Sequence, residues 1–229
     1  MGNNSNNLWD VNNKTHYFSS QEQFPVRLSF VIIQKQFENK LMAITYCDNL
    51  PIGDPLTDNA YFPDGYRFHD VFHISYMAIL GWSPVLRKQL NRKRKSHPKI
   101  DEVEDGGRAT AIEEGISALI FSYAKKCNFF EGSRTIAPEL IQTLKYMTNH
   151  LEVAEKTAQQ WEMAILKGYE VWRLLMQHGQ GEIRVDLEKS TLTFQTFSDN
   201  HGDREASGMR NTNMKVYNPL TISNSLDFS

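Results

Sequence analysis

Apolar positions alternate near the start of the chain, recur at helical spacing through its middle, and alternate again near its end. Arg27–Gln36 (RLSFVIIQKQ) and Lys40–Cys47 (KLMAITYC) are rich in β-branched and aromatic residues, and FENK between them predicts a hairpin turn. Asp48–Asp64 holds three prolines and several turn formers, which predicts a loop governed by ordinary turn chemistry. A helix is then expected from about Gly65 to Leu80, capped by Asp64 and closed by Gly81. Its residues Phe68, Val71, Phe72, Ile74, Ile79 and Leu80 form a broad apolar stripe, while Tyr66, Asp70, His73 and Met77 fall on one line of the cylinder. Ser83-Pro84 opens a second helix that runs into the basic cluster RKQLNRKRKSHPK.

After Asp105-Gly106-Gly107, the stretch Arg108–Lys126 reads as the most buried helix, with Ile112, Ile116, Leu119, Ile120 and Tyr123 on its core face. Glu113 and Glu114 are its only charges between Ala109 and Ala124. Two more helices are expected, Pro138–Leu151 and Ala158–His178; in the second, Trp161, Ile165, Tyr169, Trp172 and Met176 mark a core or dimer stripe. GEIRVDLEKSTLTFQTF then predicts a second hairpin with its turn near LEKS. The fold class is α+β: a mainly helical core with β-hairpins near both ends. The expected organisation is a flexible lead-in over 1–25, a single α+β domain over 26–197 with its helical core at about 64–178, and a flexible tail over 198–229.

Composition narrows the partners. The 229 residues include 25 basic and 27 acidic side chains, so no global field marks a nucleic-acid or membrane surface. No run of about 20 apolar residues predicts a spanning helix. The opening MGNNSNNLWDVNNK has no apolar segment of the signal-peptide kind, and Cys47 and Cys127 lie in apolar-patterned stretches without CxxC spacing. Reduced core thiols and a cytoplasmic location are the expectation.

The chemistry concentrates in two otherwise apolar helices, one carrying His69, Asp70 and His73, the other Glu113 and Glu114. Burying such groups without partners costs several kcal/mol, so a shared cation is the sharp reading. Mg2+ takes oxygen ligands and bridges to substrate phosphates, which suits Asp70, Glu113 and Glu114. Two histidines with carboxylates could instead hold zinc, manganese or iron. A carboxylate or His73 would be the general base. Each feature has a plainer explanation: Asp70 and His73 as a hydrogen-bonded i, i+3 pair, the two glutamates as a solvated edge, Glu102, Glu104 and Asp105 as a solvated charge run, and Arg87–Lys99 as a solvated helix end.

HDVFHISYMAILGWSPVLRKQLNRKRK resembles the second metal-binding helix and trailing helix of the MazG-like, all-α nucleotide pyrophosphohydrolases, where GDVLFxLxxLA is followed by a turn and a helix ending in Lys, Asn and Arg. IEEGISALIFSYA resembles the paired-glutamate helix of the same site. The wider run also resembles a MazG-related group of bacterial proteins proposed to act on nucleotides in conflict systems such as phage defence. The resemblance implies Asp70, Glu113 and Glu114 as metal ligands; the residues themselves add His69 as a further ligand and His73 and Glu113 as catalytic groups. The resemblance further implies Lys88, Asn91 and Arg94 near the phosphates, to which the basic cluster adds Arg92, with Mg2+ or Mn2+ as cofactor and a dimer or tetramer. The activity implied is cleavage of a nucleoside triphosphate to monophosphate and pyrophosphate. The chain departs from the pattern in three ways: Arg67 stands where the family has glutamate, Ser117 stands at the third acidic position, and the glutamate helix follows the aspartate helix. His69 or His73 could replace the lost ligands, or catalysis could be absent. Two other readings stand beside this one. The His69-Asp70 doublet resembles HD-type metal phosphohydrolases, with His16 and Asp105 as its further candidates. A catalytically inactive dimeric scaffold would use the same residues as a buried network.

Overall fold

The structure is a computed structural model that describes residues 18–197. The expected tail from residue 198, the lead-in before residue 18, and His16 within it lie outside the described residues. Strands β1 (Arg27–Phe37), β2 (Lys40–Cys47) and β3 (Leu50–Leu56) precede helices α1 (Asp70–Leu80), α2 (Pro84–Gln89), α3 (Pro98–Val103), α4 (Gly107–Ala124), α5 (Pro138–Met147) and α6 (Ala158–His178). Strands β4 (Gln180–Asp186) and β5 (Thr191–Gln195) follow. The chain is thus α+β, as its pattern implied.

The two hairpins do not stand apart at the ends. They merge into one antiparallel sheet of order β3-β2-β1-β4-β5, in which β1 pairs with β4 across Leu28↔Val185 and Phe30↔Ile183. Alternation explains the sheet's covered face: Leu28, Phe30 and Ile32 of β1, Ala43, Thr45 and Cys47 of β2, and Ile183 and Val185 of β4 are all buried. The stretch expected to be loop, 48–64, contains β3. A strand holding Pro51 and Pro55 is tolerated because β3 lies at the sheet edge, where a missing N–H breaks no central ladder.

Helix α1 packs between the sheet, α6, α2 and α4, and all eleven of its residues are buried. Such a helix is apolar nearly all round, and each fully buried Phe, Ile, Leu or Met contributes about 1.5–3 kcal/mol. Gly168 of α6 makes the close approach to α1 possible, since a Cβ there would stand 2.8 Å from Ser75 Oγ. Helix α6 opens with a capping box in which Thr157 and Gln160 satisfy each other's backbone N–H groups.

Several boundaries differ from expectation. The α-helix begins at Asp70 rather than Gly65, because a 3₁₀ turn over Tyr66–Phe68 comes first; Gly65 and His69, not Asp64, are the N-caps of the turn and the helix, though Asp64 accepts the Tyr66 N–H at 3.1 Å. Helix α2 stops at Gln89, before most of the basic cluster, and the short α3 follows with Pro98 in its first turn. Leu119, expected in the core, is exposed. Among 18–25, Glu22 accepts from Ser96 N–H and Oγ–H at 2.7 and 2.6 Å, and Phe24 lies under the Arg87 guanidinium. Both cysteines are free, Cys47 buried and Cys127 partly so. Among the described residues no helix is long and apolar enough to cross a membrane.

Candidate metal centre

The entry to α1 is set by one carboxylate. Asp58 accepts the backbone N–H groups of Asp64 and Arg67 at 3.2 and 2.9 Å, and it pairs with the buried Arg67 guanidinium at 2.8 Å. Trp172 Nε1 donates to the carbonyl of Gly65, whose φ of 86° requires a residue without Cβ strain. These contacts turn the Tyr66 carbonyl onto His69 Nδ1 at 2.9 Å, and the Tyr66 ring stacks on the imidazole at 4.4 Å. A carbonyl only accepts, so Nδ1 carries the proton and the Nε2 lone pair is presented.

One turn later, His73 is completely buried. Its Nδ1 lies 2.9 Å from Glu113 Oε1. Glu113 is itself wholly buried and has further partners: Ser83 Oγ donates to Oε1 at 2.6 Å and Val85 N–H to Oε2 at 2.8 Å. Ser83 is the N-cap of α2, so Glu113 accepts from the unsatisfied end of that helix while tying α4 to α1. His73 Nε2 makes no hydrogen bond and faces Glu114 Oε2 at 3.5 Å; the same Oε2 lies 3.9 Å from His69 Nε2. Asp70 is held by Thr45 Oγ1 of β2, which donates to Oδ2 at 2.5 Å. One ligand atom from each of His69, Asp70 and His73 falls within 4.8 Å of the others. Glu114, whose side chain is 44% exposed, opens this cluster to solvent.

The charges are strongly biased. Burial opposes an imidazolium at His73, but the Glu113 and Glu114 carboxylates outweigh it and hold the group up to about 10. His69 is pushed down by burial and by the neighbouring His73, against a smaller opposing pull from Asp70. Burial would raise Glu114, yet His73 and His69 hold it below the ordinary carboxylate value. The pocket therefore favours positive charge at His73 Nε2, whether as a proton or as a cation in its place.

The structure thus brings together His69, Asp70, His73, Glu113 and Glu114, with Glu113 saturated behind His73. Thr45 and the Tyr66 carbonyl also belong to this assembly, and no pattern in the sequence marked them: one lies on a strand, the other is backbone. Lys88 and Asn91 are exposed, and Arg92 donates to the Ser20 carbonyl at 3.0 Å. Arg94 is buried, bound to Asp105 at 2.6 Å and to Glu152 at 2.8 Å. Asp105 also accepts the Arg94 N–H and lies 3.5 Å from Arg87 Nε. Glu104 accepts the Glu152 N–H at 2.9 Å. Of the charge run expected to be solvated, only Glu102 is exposed; Glu104 and Asp105 are buried because distant partners meet them there. Asp105, a candidate for an HD-type centre, is engaged by Arg94 and Arg87.

Donor chemistry fits a divalent cation: two imidazoles each anchored through Nδ1, one anchored aspartate, and one half-exposed glutamate. No curated protein and no solved structure matches the chain. A family model described as the MazG C-terminal domain matches residues 10–198, which include every described strand and helix. At the level of the family this points to nucleotide pyrophosphohydrolase-type function and to divalent-metal dependence. The chain belongs to the MazG C-terminal domain family, and the MazG-like resemblance read from its two polar-bearing helices is borne out.

Proposed function

We propose that this chain hydrolyses a nucleoside triphosphate to monophosphate and pyrophosphate, with a divalent cation held by His69, Asp70 and His73 and approached by Glu114. The observation that carries this reading is His73 Nε2: fully buried, and paired at 3.5 Å with a solvent-reaching carboxylate. Bound there, a cation would supply Lewis-acid neutralisation of the phosphate charge and lower the pKa of attacking water. Mg2+, or Mn2+ in its stead, is the ion expected to accompany the substrate phosphates.

The chain's own groups have distinct tasks. Tyr66 and Glu113 hold the two imidazoles in one tautomer and one orientation. Thr45 fixes Asp70. Glu114, ionised at neutral pH and open to solvent, accepts the proton as water oxygen bonds to the α-phosphorus and the bond to the bridging oxygen breaks, releasing pyrophosphate. Lys88 and Asn91, exposed after α2, are the candidates for contact with the departing phosphates; Arg94 acts through its buried pairs instead. Such an activity would act on a nucleotide pool, the role a conflict system would exploit.

A second reading is supported by the 3.5 Å contact between His73 and Glu114: an imidazolium bridging two carboxylates as a purely structural network. The test is a panel of ribo- and deoxyribonucleoside triphosphates with Mg2+ or Mn2+, reading monophosphate and pyrophosphate. Paired products that vanish in Glu114→Ala support hydrolysis. Folded protein that turns over no nucleotide with either metal, or with Co2+ or Zn2+ added to the panel, rejects it in favour of the network.

A further inference from the structure

We infer that the resident ion of this centre is a first-row transition-metal ion of the Mn2+, Fe2+, Co2+ or Zn2+ class rather than Mg2+, and that Glu113 positions His73 for it without ligating. The inference rests on the metal-site part of the reading above, and it concerns which cation the cluster selects.

Three observations carry it. First, two of the donors are imidazole nitrogens. Mg2+ demands oxygen ligands and gives up its waters reluctantly, whereas imidazole suits transition ions. Second, both histidines are prepared in the same sense: His69 Nδ1 is bound to the Tyr66 carbonyl and His73 Nδ1 to Glu113, each at 2.9 Å, which turns both Nε2 atoms to the same region. A metal-binding histidine characteristically spends its other nitrogen on a carbonyl or carboxylate in this way. Third, the spacing suits a shared ion. One ligand atom from each of His69, Asp70 and His73 falls within 4.8 Å of the others, and Glu114 Oε2 lies 3.5 and 3.9 Å from the two Nε2 atoms. Two ligands of one tetrahedral ion with bonds near 2.1 Å stand about 3.4 Å apart, so a bound ion would draw this group slightly together. Glu113 is wholly buried and accepts from Ser83 Oγ, Val85 N–H and His73 Nδ1, so it is already committed to the imidazole from behind. Its part is to hold the imidazole.

The decisive experiment uses the full chain stripped with chelator and no nucleotide. Melting temperature is followed with micromolar Mn2+, Co2+ or Zn2+ and separately with millimolar Mg2+, and the Co2+ form is read by visible absorption. The expected result is a rise in melting temperature with transition ions, little response to Mg2+, and a Co2+ spectrum with nitrogen ligation at one ion per chain. Glu113→Gln should weaken ion affinity by about 10–100-fold while leaving the stoichiometry intact. Because emptying the buried His73 position could unfold the chain, the half-exposed Glu114→Ala serves as the second variant and should also weaken binding. An equal or larger response to Mg2+ overturns the inference. So does the absence of a response to any ion, or a Glu113→Gln variant that binds as tightly as the parent. Ion binding with these selectivities but no turnover of any nucleotide would sink the hydrolase reading and leave this one standing.

Discussion

Two buried charge clusters in this protein have opposite logic. Around Arg94, the strongest groups meet counter-charges: the guanidinium spans Asp105 and Glu152, and Asp105 takes the Arg94 N–H and approaches Arg87, while Glu104 accepts only the Glu152 backbone N–H. Around His73, the pairing is deliberately incomplete in outcome: Glu113 is saturated, but one buried imidazole nitrogen has no hydrogen bond and looks toward a carboxylate at the surface. Burial of charge is common to both. What separates a brace from a site is a leftover donor or acceptor with a path to solvent.

That contrast can be tested from its strongest consequence downward. Glu114→Ala should cut nucleotide turnover by about 10²–10⁴-fold, the range of a lost general base, while costing less stability than Arg94→Ala because the side chain is half exposed. A steady-state assay beside a urea melt measures both, and unchanged turnover would dissolve the distinction. Arg94→Ala should do the reverse. It removes the guanidinium that Asp105 and Glu152 share in the interior and should cost about 3–5 kcal/mol in a urea melt, while protein that remains folded at low temperature keeps its thermal response to added ion. A loss of ion response without a loss of stability would place Arg94 in the wrong cluster.

Ser83→Ala joins the two properties more gently. It removes the cap on Leu86 N–H and one of the donors to Glu113, at about 1–2 kcal/mol, and should also weaken ion binding by loosening Glu113. Stability lost with ion affinity unchanged would confine Ser83 to capping.

The subtlest readout is a pH slope. Burial raises Glu104 from 4.5 to about 7 against the opposing Glu152 N–H bond, with the Glu152 charge adding to the rise. Below 4.5 both folded and unfolded chains hold the proton, so the group contributes nothing. Between 4.5 and about 7 the unfolded chain releases it first, so stability falls as pH rises, and the full penalty remains above 7. Glu104→Gln should therefore gain stability relative to the parent between pH 5 and pH 8. A stability difference that stays flat over that window would show that the brace tolerates the ionised acid.

Much of this molecule was legible because it is local. Period-two alternation gave β1, β2 and the β4–β5 hairpin, and helical spacing gave α1, α4 and α6 within a few residues. The entry of α1 was misjudged because its first turn is 3₁₀, fixed by Asp58 from outside the helix. Strand β3 was hidden by its prolines, which an edge position accommodates. Glu102, Glu104 and Asp105 looked alike as a charge run, yet two of them are buried by Arg94 and Glu152, partners no local pattern could supply.

The candidate centre divides in the same way. The sequence by itself determined that His69, Asp70 and His73 share one helical turn and that Glu113 and Glu114 interrupt an apolar helix, since helical geometry is set by neighbouring residues. It also carried the family resemblance. Only the tertiary structure decided that adjacent glutamates have different fates: Glu113 turns inward to Ser83, Val85 and His73, while Glu114 reaches the surface beside both histidines. Consecutive helical side chains point about 100° apart, and what lies in each direction is fixed by long-range packing of α1, α2 and α4, which no neighbour in the chain encodes.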